Sequence, residues 1–98
     1  MLVGYYDEEH RLRYAGKVGT GFTRQLLVEL HQELLGRELP GSPFADEVRE
    51  RGVHWARPEL VAEVAFTEWT GDGRLRHPSF QGLRPDKAAG EVRRESPA

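Results

Sequence analysis

The sequence contains no cysteine, only two lysines and no long run of apolar residues. The lack of cysteine excludes disulfide bonds and thiolate metal ligands. No stretch approaches the roughly 20 apolar residues that cross a bilayer, and no signal-peptide pattern opens the chain. We therefore expect a cytoplasmic protein without membrane contact. The 98 residues allow one small domain with a modest core.

Charge is weak overall but unevenly distributed. The formal net charge of −2 argues against a strongly basic domain that coats nucleic acid. Residues 1–50 carry six basic and nine acidic side chains, whereas residues 74–87 carry four basic and one acidic. Such a concentration of cations predicts a role in positioning a phosphate-bearing ligand rather than in general DNA binding.

Hydrophobic patterning predicts short strands and tight turns. Residues 60–69 alternate apolar side chains with the two-residue period of a strand, and Gly71-Asp72-Gly73 supplies a hairpin turn. Phe66 and Trp69 on this strand are expected in the core, which leaves Tyr5 or Tyr6 as candidates for stacking on bases. The predicted strands lie at residues 2–6, 12–17, 53–55, 60–69 and 75–83.

One helix is predicted between the strands. Thr23 is a suitable N-cap, and Gly36 is a suitable C-terminal stop because glycine accepts a left-handed conformation. The apolar stripe of this helix is formed by Leu26, Leu27, Leu30 and Leu34. Residues 37–52 are predicted to form a connecting loop, and residues 92–98 a flexible tail after a domain at residues 1–91.

Residues 76–87, called here the cationic motif, carry the strongest chemical signal. They combine Arg76, Arg84 and Lys87 with one acid, Asp86. Arginine offers forked donors that match phosphate oxygens, and lysine acts as a compact point charge. The residue types alone indicate binding to a polyphosphate or a nucleic-acid backbone, with a solvated basic turn as the alternative.

Other patterns carry less information. Residues 16–21 are rich in glycine, but they lack the spacing of a phosphate-binding loop. We interpret them as a connection that ends a strand before the helix begins. The four histidines show no metal-ligand spacing, so no metal site is expected. Three cations outside the cationic motif are candidates for contact with DNA phosphates: Arg13, Lys17 and Arg74.

The pattern Arg-x-Pro-x-Phe-x-x-x-Arg-x-Asp-Lys at residues 76–87 resembles the last motif of ATP-dependent DNA ligases. Three further blocks, at residues 14–22, 55–64 and 68–78, resemble the same family in the same order. The third block is similar to the bacterial end-joining type in particular. The resemblance implies a mainly β fold with one α-helix, namely the C-terminal OB-fold, a small Greek-key β-barrel, of a ligase that acts in DNA repair and recombination.

The resemblance also implies roles for residues and partners. Arg76, Arg84 and Lys87 would approach the triphosphate of ATP held by a separate nucleotidyltransferase domain and orient the pyrophosphate leaving group, with Asp86 ion-paired beside them. Arg13, Lys17 and Arg74 would contact nicked double-stranded DNA. ATP and Mg²⁺ are expected for the whole ligase but not for this chain alone, and the bacterial cytoplasm, in association with the nucleoid, is the expected location.

Two departures from the family limit these expectations. Ligases adenylylate the lysine of a Lys-x-Asp-Gly motif, whereas Lys17 is followed by Val-Gly-Thr and Lys87 by Ala-Ala-Gly, so the chain alone is expected to be inactive. The family usually has a further strand before residues 2–6, and its lack predicts an incomplete barrel with an unpaired edge that favours a homodimer or a marginally stable monomer. Three interpretations stay open: a ligase segment, a free-standing nucleic-acid-binding OB module, and an oligomerising or partner-docking fragment.

Overall fold

The computed structural model describes residues 1–95, so the last three residues of the tail predicted at residues 92–98 lie outside the described part. Most of the regular structure is β, with one α-helix, which confirms the predicted class. The elements in chain order are β1 (Leu2–Tyr6), β2 (Leu12–Lys17), α1 (Arg24–Leu35), β3 (Glu38–Leu39), β4 (Trp55–Ala56), β5 (Ala62–Ala65), β6 (Glu68–Trp69), β7 (Leu75–Arg76), β8 (Ser79–Leu83) and a 3₁₀ turn at Ala89–Glu91.

The strands pair as antiparallel couples: β1 with β2, β3 with β4, β5 with β8, and β6 with β7. Within residues 1–95 no third strand joins any couple, so the barrel is not closed. Two bulges bend the longer couples. The register skips Ala15 opposite Val3 and Gly4, and it skips Gln81 opposite Glu63 and Val64. No helix in this part of the chain is long and apolar enough to cross a membrane.

The two longest predicted strands are each divided in the structure. Residues 60–69 form β5 and β6 because the chain changes its pairing partner, from β8 to β7, near Thr67. Residues 75–83 divide into β7 and β8 at His77, whose φ of 54° interrupts the extended backbone. Periodicity alone continues through both points, so the sequence analysis merged the segments.

The predicted loop at residues 37–52 was wrong at its start. Glu38 and Leu39 form β3, which pairs with Ala56 and Trp55 of β4. A strand of two residues has no detectable alternation, and only its partner reveals it. The partner strand was itself predicted at residues 53–55, which begins two residues and ends one residue before β4.

Helix α1 begins after Thr23 and ends before Gly36 as predicted, but the conformation of Gly36 differs from the prediction. The hydroxyl of Thr23 accepts a hydrogen bond from the backbone amide of Leu26 at 3.1 Å, which confirms the N-cap. Gly36 has a φ of −73°, so it does not adopt the expected left-handed conformation. Arg37 caps the last carbonyls instead: its amide donates to Leu34 O at 3.0 Å, and its guanidinium donates to Glu33 O at 2.8 Å. The predicted apolar stripe is also too wide, since Leu27 is 51% exposed.

The core is a small cluster of Val18, Leu30 and Phe80. Phe22 stacks on Phe80 with ring centroids 4.9 Å apart and extends the cluster. Partly buried residues packed against it are Met1, Val3, Leu26, Ala62, Val64 and Leu83. The core therefore joins the segment after β2, helix α1 and the strand β8 that carries the cationic motif.

The prediction that Phe66 and Trp69 lie in the core was wrong. Both side chains are only partly buried, and they pack edge to face at 5.3 Å in a separate aromatic group. Tyr5 joins that group through Trp69 at 5.4 Å, whereas Tyr6 stacks on His10 at 4.7 Å. Because β6 pairs with β7 and not with β8, its aromatic side chain is carried away from Phe80.

A close backbone approach fixes β8 against the loop before the helix. Phe80 donates its amide hydrogen bond to Thr20 O at 2.9 Å, and the Thr20 hydroxyl donates to Pro78 O at 3.2 Å. Gly21, at φ 90°, lies directly beside this junction. A side chain there would overlap the Phe80 carbonyl oxygen and come within 2.7 Å of its amide nitrogen.

Substitution Gly21→Ala should therefore destabilise the fold by about 2 kcal/mol or more, through an unfavourable backbone conformation and a clash with backbone atoms. The measurement is the urea midpoint of the isolated chain. Gly19→Ala is the control, because a Cβ at Gly19 meets no atom within 4 Å. Equal midpoints for the two variants would show that the approach of Thr20 to Phe80 does not hold the fold together.

Candidate functional site

The cationic motif ends in a tight turn after β8. The amide of Arg84 donates to Val61 O at 2.7 Å, which extends the pairing of β8 beyond β5, and the amide of Lys87 donates to Arg84 O at 3.3 Å. Phe80, only 1% exposed, anchors the same strand in the core four residues earlier. The turn is thus attached directly to the most buried part of the molecule.

Arg84 and Asp86 form a bidentate ion pair on this turn. The guanidinium Nε lies 3.1 Å from Asp86 Oδ1, and Nη2 lies 3.0 Å from Oδ2. The hydrogen bond from Arg84 lowers the pKa of Asp86, and the reciprocal bond raises the pKa of Arg84. Within residues 1–95 no acceptor bonds Nη1 of Arg84, so donor capacity remains on a guanidinium that Asp86 orients and whose side chain is 39% exposed.

Lys87 lies at the other end of the turn and has a different kind of partner. Its Nζ is 2.6 Å from Glu95 Oε1, an acid of the C-terminal segment beyond the cationic motif. The hydrogen bond from Lys87 lowers the pKa of Glu95, so the carboxylate is anionic at neutral pH. The sequence analysis missed Glu95 because it assigned residues 92–98 to a tail.

Arg76 pairs with an acid of the neighbouring strand and not of the turn. It ends β7 and pairs across the β6–β7 ladder with Glu68, Nε to Oε1 at 2.9 Å. The kink at His77 and strand β8 lie between Arg76 and Arg84 along the chain.

A second cationic group surrounds Asp46. This carboxylate is 14% exposed and lies 3.1 Å from Arg13 Nε and 3.9 Å from Arg74 Nη1. The contact to Arg13 is ionic rather than a hydrogen bond of good geometry. Arg74 is further fixed by a hydrogen bond to Tyr14 O at 2.7 Å and by the Tyr14 ring, 4.7 Å below its guanidinium carbon.

Lys17, the third predicted DNA-binding cation, is more loosely held. Its Nζ lies 3.9 Å from Glu50 Oε2, and its side chain is largely exposed. Asp46 and Glu50 both belong to the loop after β3, which was assigned no role from the sequence. The one sequence signal for that loop was an aromatic residue among polar ones, Phe44, whose ring packs edge to face on Tyr14 at 5.3 Å.

All six predicted cations, in both groups, thus have an acidic partner in the described part of the chain. Ion pairs between exposed groups contribute little to stability, whereas Asp46 is largely buried beside Arg13 and Arg74. The site can bind and orient a phosphate, but it offers no group arranged as a nucleophile. Residues 1–95 also contain no cluster of three or more His, Asp or Glu side chains that could hold a metal ion.

Comparison with known proteins places these features in a family. The chain is 46% identical to the multifunctional non-homologous end joining protein LigD of Pseudomonas aeruginosa, across 100% of the chain and 12% of that protein. It is 50% identical to the LigD of Mycolicibacterium smegmatis, across 83% of the chain and 11% of that protein. The chain therefore spans about an eighth of the length of these curated relatives.

Solved structures agree with the sequence matches. The ligase domain of Mycobacterium tuberculosis LigD superposes with a TM-score of 0.90 at 41% identity, across 96% of this chain and 32% of that one. A mycobacterial DNA ligase D complexed with ATP and MES gives a TM-score of 0.87 at 41% identity and the same coverage. The family model described as the ATP dependent DNA ligase C terminal region matches residues 1–87. The chain belongs to this family, as the C-terminal region of an ATP-dependent DNA ligase of the end-joining type.

Proposed function

We propose that this chain orients the phosphates of ATP while a lysine in a separate nucleotidyltransferase domain is adenylylated. The observation that carries the proposal is the geometry of Arg84. Asp86 holds its guanidinium through Nε and Nη2, and Nη1 has no acceptor in the described part of the chain. A fixed, forked donor suits a phosphate oxygen better than a mobile side chain does, because less conformational freedom is lost on binding.

The chemical contribution is electrostatic. When lysine attacks the α-phosphorus, the bond to pyrophosphate breaks and negative charge grows on the leaving group. Arg84 and Lys87 stabilise that charge and hold the leaving group in line with the attacking amine. Asp86 keeps the Arg84 guanidinium in place. Arg76 contributes from the end of β7, where Glu68 holds its guanidinium.

The remaining parts of the reaction come from outside residues 1–95. The catalytic lysine is one of them, since Lys17 and Lys87 lack the required sequence context. Mg²⁺ is another, because the acids described here do not form a cluster that fits it. The proposal therefore requires a nucleotidyltransferase domain, either in the same polypeptide or added in trans.

The cations around Asp46 are proposed to contact nicked double-stranded DNA. Arg13 and Lys17 lie on β2, and Arg74 precedes β7. Asp46 and Tyr14 hold Arg74 in place, which favours a fixed contact with a phosphate over a general attraction. A ligase domain with this role would work in the bacterial cytoplasm, at the nucleoid.

A second candidate is homodimerisation through the open side of the barrel. Strands β1 and β5 each pair on one edge only, and both line an apolar cavity of about 680 Å³ together with Leu27, Leu30 and Leu34 of α1. An unpaired strand edge beside an apolar cavity can accept a strand from a second copy. Arg84 and Lys87 line the same cavity, so a strand of a second copy seated there would compete with a phosphate for these two residues.

The phosphate role predicts rescue of a ligase catalytic domain that lacks its own C-terminal domain. Adding this chain should restore lysine adenylylation from ATP, measured as radiolabel transferred to the catalytic domain. Arg84→Ala should reduce the rate about 100-fold, the size of effect seen when one stabilising donor is removed from a developing anion. Arg49→Ala is the control, as an exposed arginine paired only with Glu47. Equal rates with the two variants would contradict the role of Arg84.

The DNA role predicts a change in salt dependence. Arg13→Gln combined with Lys17→Gln should reduce the slope of log affinity against log salt by about 2 for a nicked duplex, because two phosphate contacts are lost. The measurement is fluorescence anisotropy of the complex with the catalytic domain at several KCl concentrations. Arg24→Gln, at the exposed start of α1, should leave the slope unchanged. An unaltered slope in the double variant would exclude these two contacts.

The dimer candidate predicts a mass that rises with concentration. Sedimentation velocity of the isolated chain should show a shift from monomer to dimer as the concentration is raised. The shift should shrink when Leu27→Lys places a charge at an exposed position of the cavity wall, whereas Ala65→Lys, at an exposed position of β5 that does not line the cavity, should retain it. A single monomeric species at every concentration would exclude strand exchange.

A further inference from the structure

Residues 92–95 form a short strap that returns across the sheet after the 3₁₀ turn. The amide of Tyr6, at the end of β1, donates to Val92 O at 2.9 Å. The indole Nε1 of Trp69, on β6, donates to Glu95 O at 2.7 Å, and the Arg94 guanidinium carbon lies 4.8 Å from the Trp69 ring. Two different strands therefore hold the strap, one at each end.

The strap delivers one carboxylate to the cationic motif. Glu95 Oε1 lies 2.6 Å from Lys87 Nζ, and the lysine is the less exposed member of the pair. Asp86, the partner of Arg84, belongs to the turn itself, and Glu68, the partner of Arg76, belongs to the neighbouring strand. Lys87 differs from both arginines because its anion comes from a segment that follows the motif and has its own attachment to the sheet.

We propose that Glu95 occupies Lys87 as an internal substitute for a phosphate oxygen, so that the strap competes with the triphosphate for this lysine. The inference rests on the proposed phosphate-orienting function and adds a regulatory contact to it. While the Glu95 carboxylate is bound to Lys87, the charge of the lysine is neutralised and the turn offers only Arg84 to a phosphate. Release of the Glu95 carboxylate exposes the second cation and completes the phosphate site.

The relative strengths of the two contacts allow a triphosphate to replace the Glu95 carboxylate at Lys87. An ion pair between exposed groups is weak, whereas a triphosphate brings several charges to both Arg84 and Lys87 at once. The strap itself does not have to detach. Trp69 and Tyr6 bind main-chain carbonyl oxygens, so the carboxylate of Glu95 can rotate away while the backbone remains attached.

The chain is well suited to a direct test because it contains only Lys17 and Lys87. Lysine labelled with ¹³C at Cε gives two NMR signals, and Lys17→Arg assigns them. Tripolyphosphate is titrated into the wild-type chain and into Glu95→Gln, with the Lys87 signal as the readout. Glu91→Gln is the matched control, because it removes the same charge from an exposed acid with no ion pair in the described part of the chain.

Glu95→Gln should bind tripolyphosphate about two- to fivefold more tightly than wild type, the range expected for loss of one exposed competing ion pair. Glu91→Gln should match wild type. The indole resonance of Trp69 should persist in both variants, because glutamine retains the main-chain oxygen. Affinity in Glu95→Gln equal to or below that of wild type, with the indole signal intact, would overturn the competition.

Arg84→Ala separates the two proposals. If this variant binds tripolyphosphate more weakly while Glu95→Gln has no effect, the phosphate site stands and the strap inference alone is overturned. Arg84→Ala can also be made in the wild-type chain and in Glu95→Gln. If it leaves the affinity for tripolyphosphate unchanged in both, the proposed function fails as well. Tighter binding in Glu95→Gln that is lost on adding Arg84→Ala supports both.

Discussion

The contact between Phe80 and the segment at Val18, Thr20 and Gly21 is the constraint on which the rest of this structure depends. It provides the buried centre of a small core, and it attaches the strand that carries the cationic motif to the loop before helix α1. Gly21 permits the approach because it has no side chain at a point of backbone contact. A domain of 98 residues with few buried side chains can hold a functional turn in place only if that turn is close to such a centre.

Charge pairing is the second organising feature. Each predicted cation meets an acid of the same chain, which explains how a protein with a net charge of −2 can display arginines and lysines in fixed positions. The pairs differ in consequence. Asp86 belongs to the same turn as Arg84 and orients it, whereas Glu95 reaches Lys87 from the strap and neutralises it. In the proposed function, the same kind of ion pair prepares Arg84 for phosphate and withholds Lys87 from it.

Many features of the fold and of the candidate site could be predicted from the sequence, and the predictions that were wrong failed for physical reasons. Thr23, the hairpin of β1 and β2, and the Arg84–Asp86 pair follow from local rules, because capping, alternation and short-range pairing are properties of neighbouring residues. The division of the long strands, the position of Trp69 outside the core and the pairing of Arg13 with Asp46 depend on which distant segments meet. Spacing along a chain does not contain that information.

The central claim is that the turn at residues 84–87 lies against the phosphates of ATP during adenylylation. The most direct measurement is photocrosslinking from an ATP analogue that carries the reactive group on its γ-phosphate, in the complex of this chain with a ligase catalytic domain, followed by mapping of the modified peptides. The account predicts that the crosslinks in this chain fall at residues 84–87. Crosslinks confined to the catalytic domain, or located around Arg13 and Lys17 instead, would contradict it.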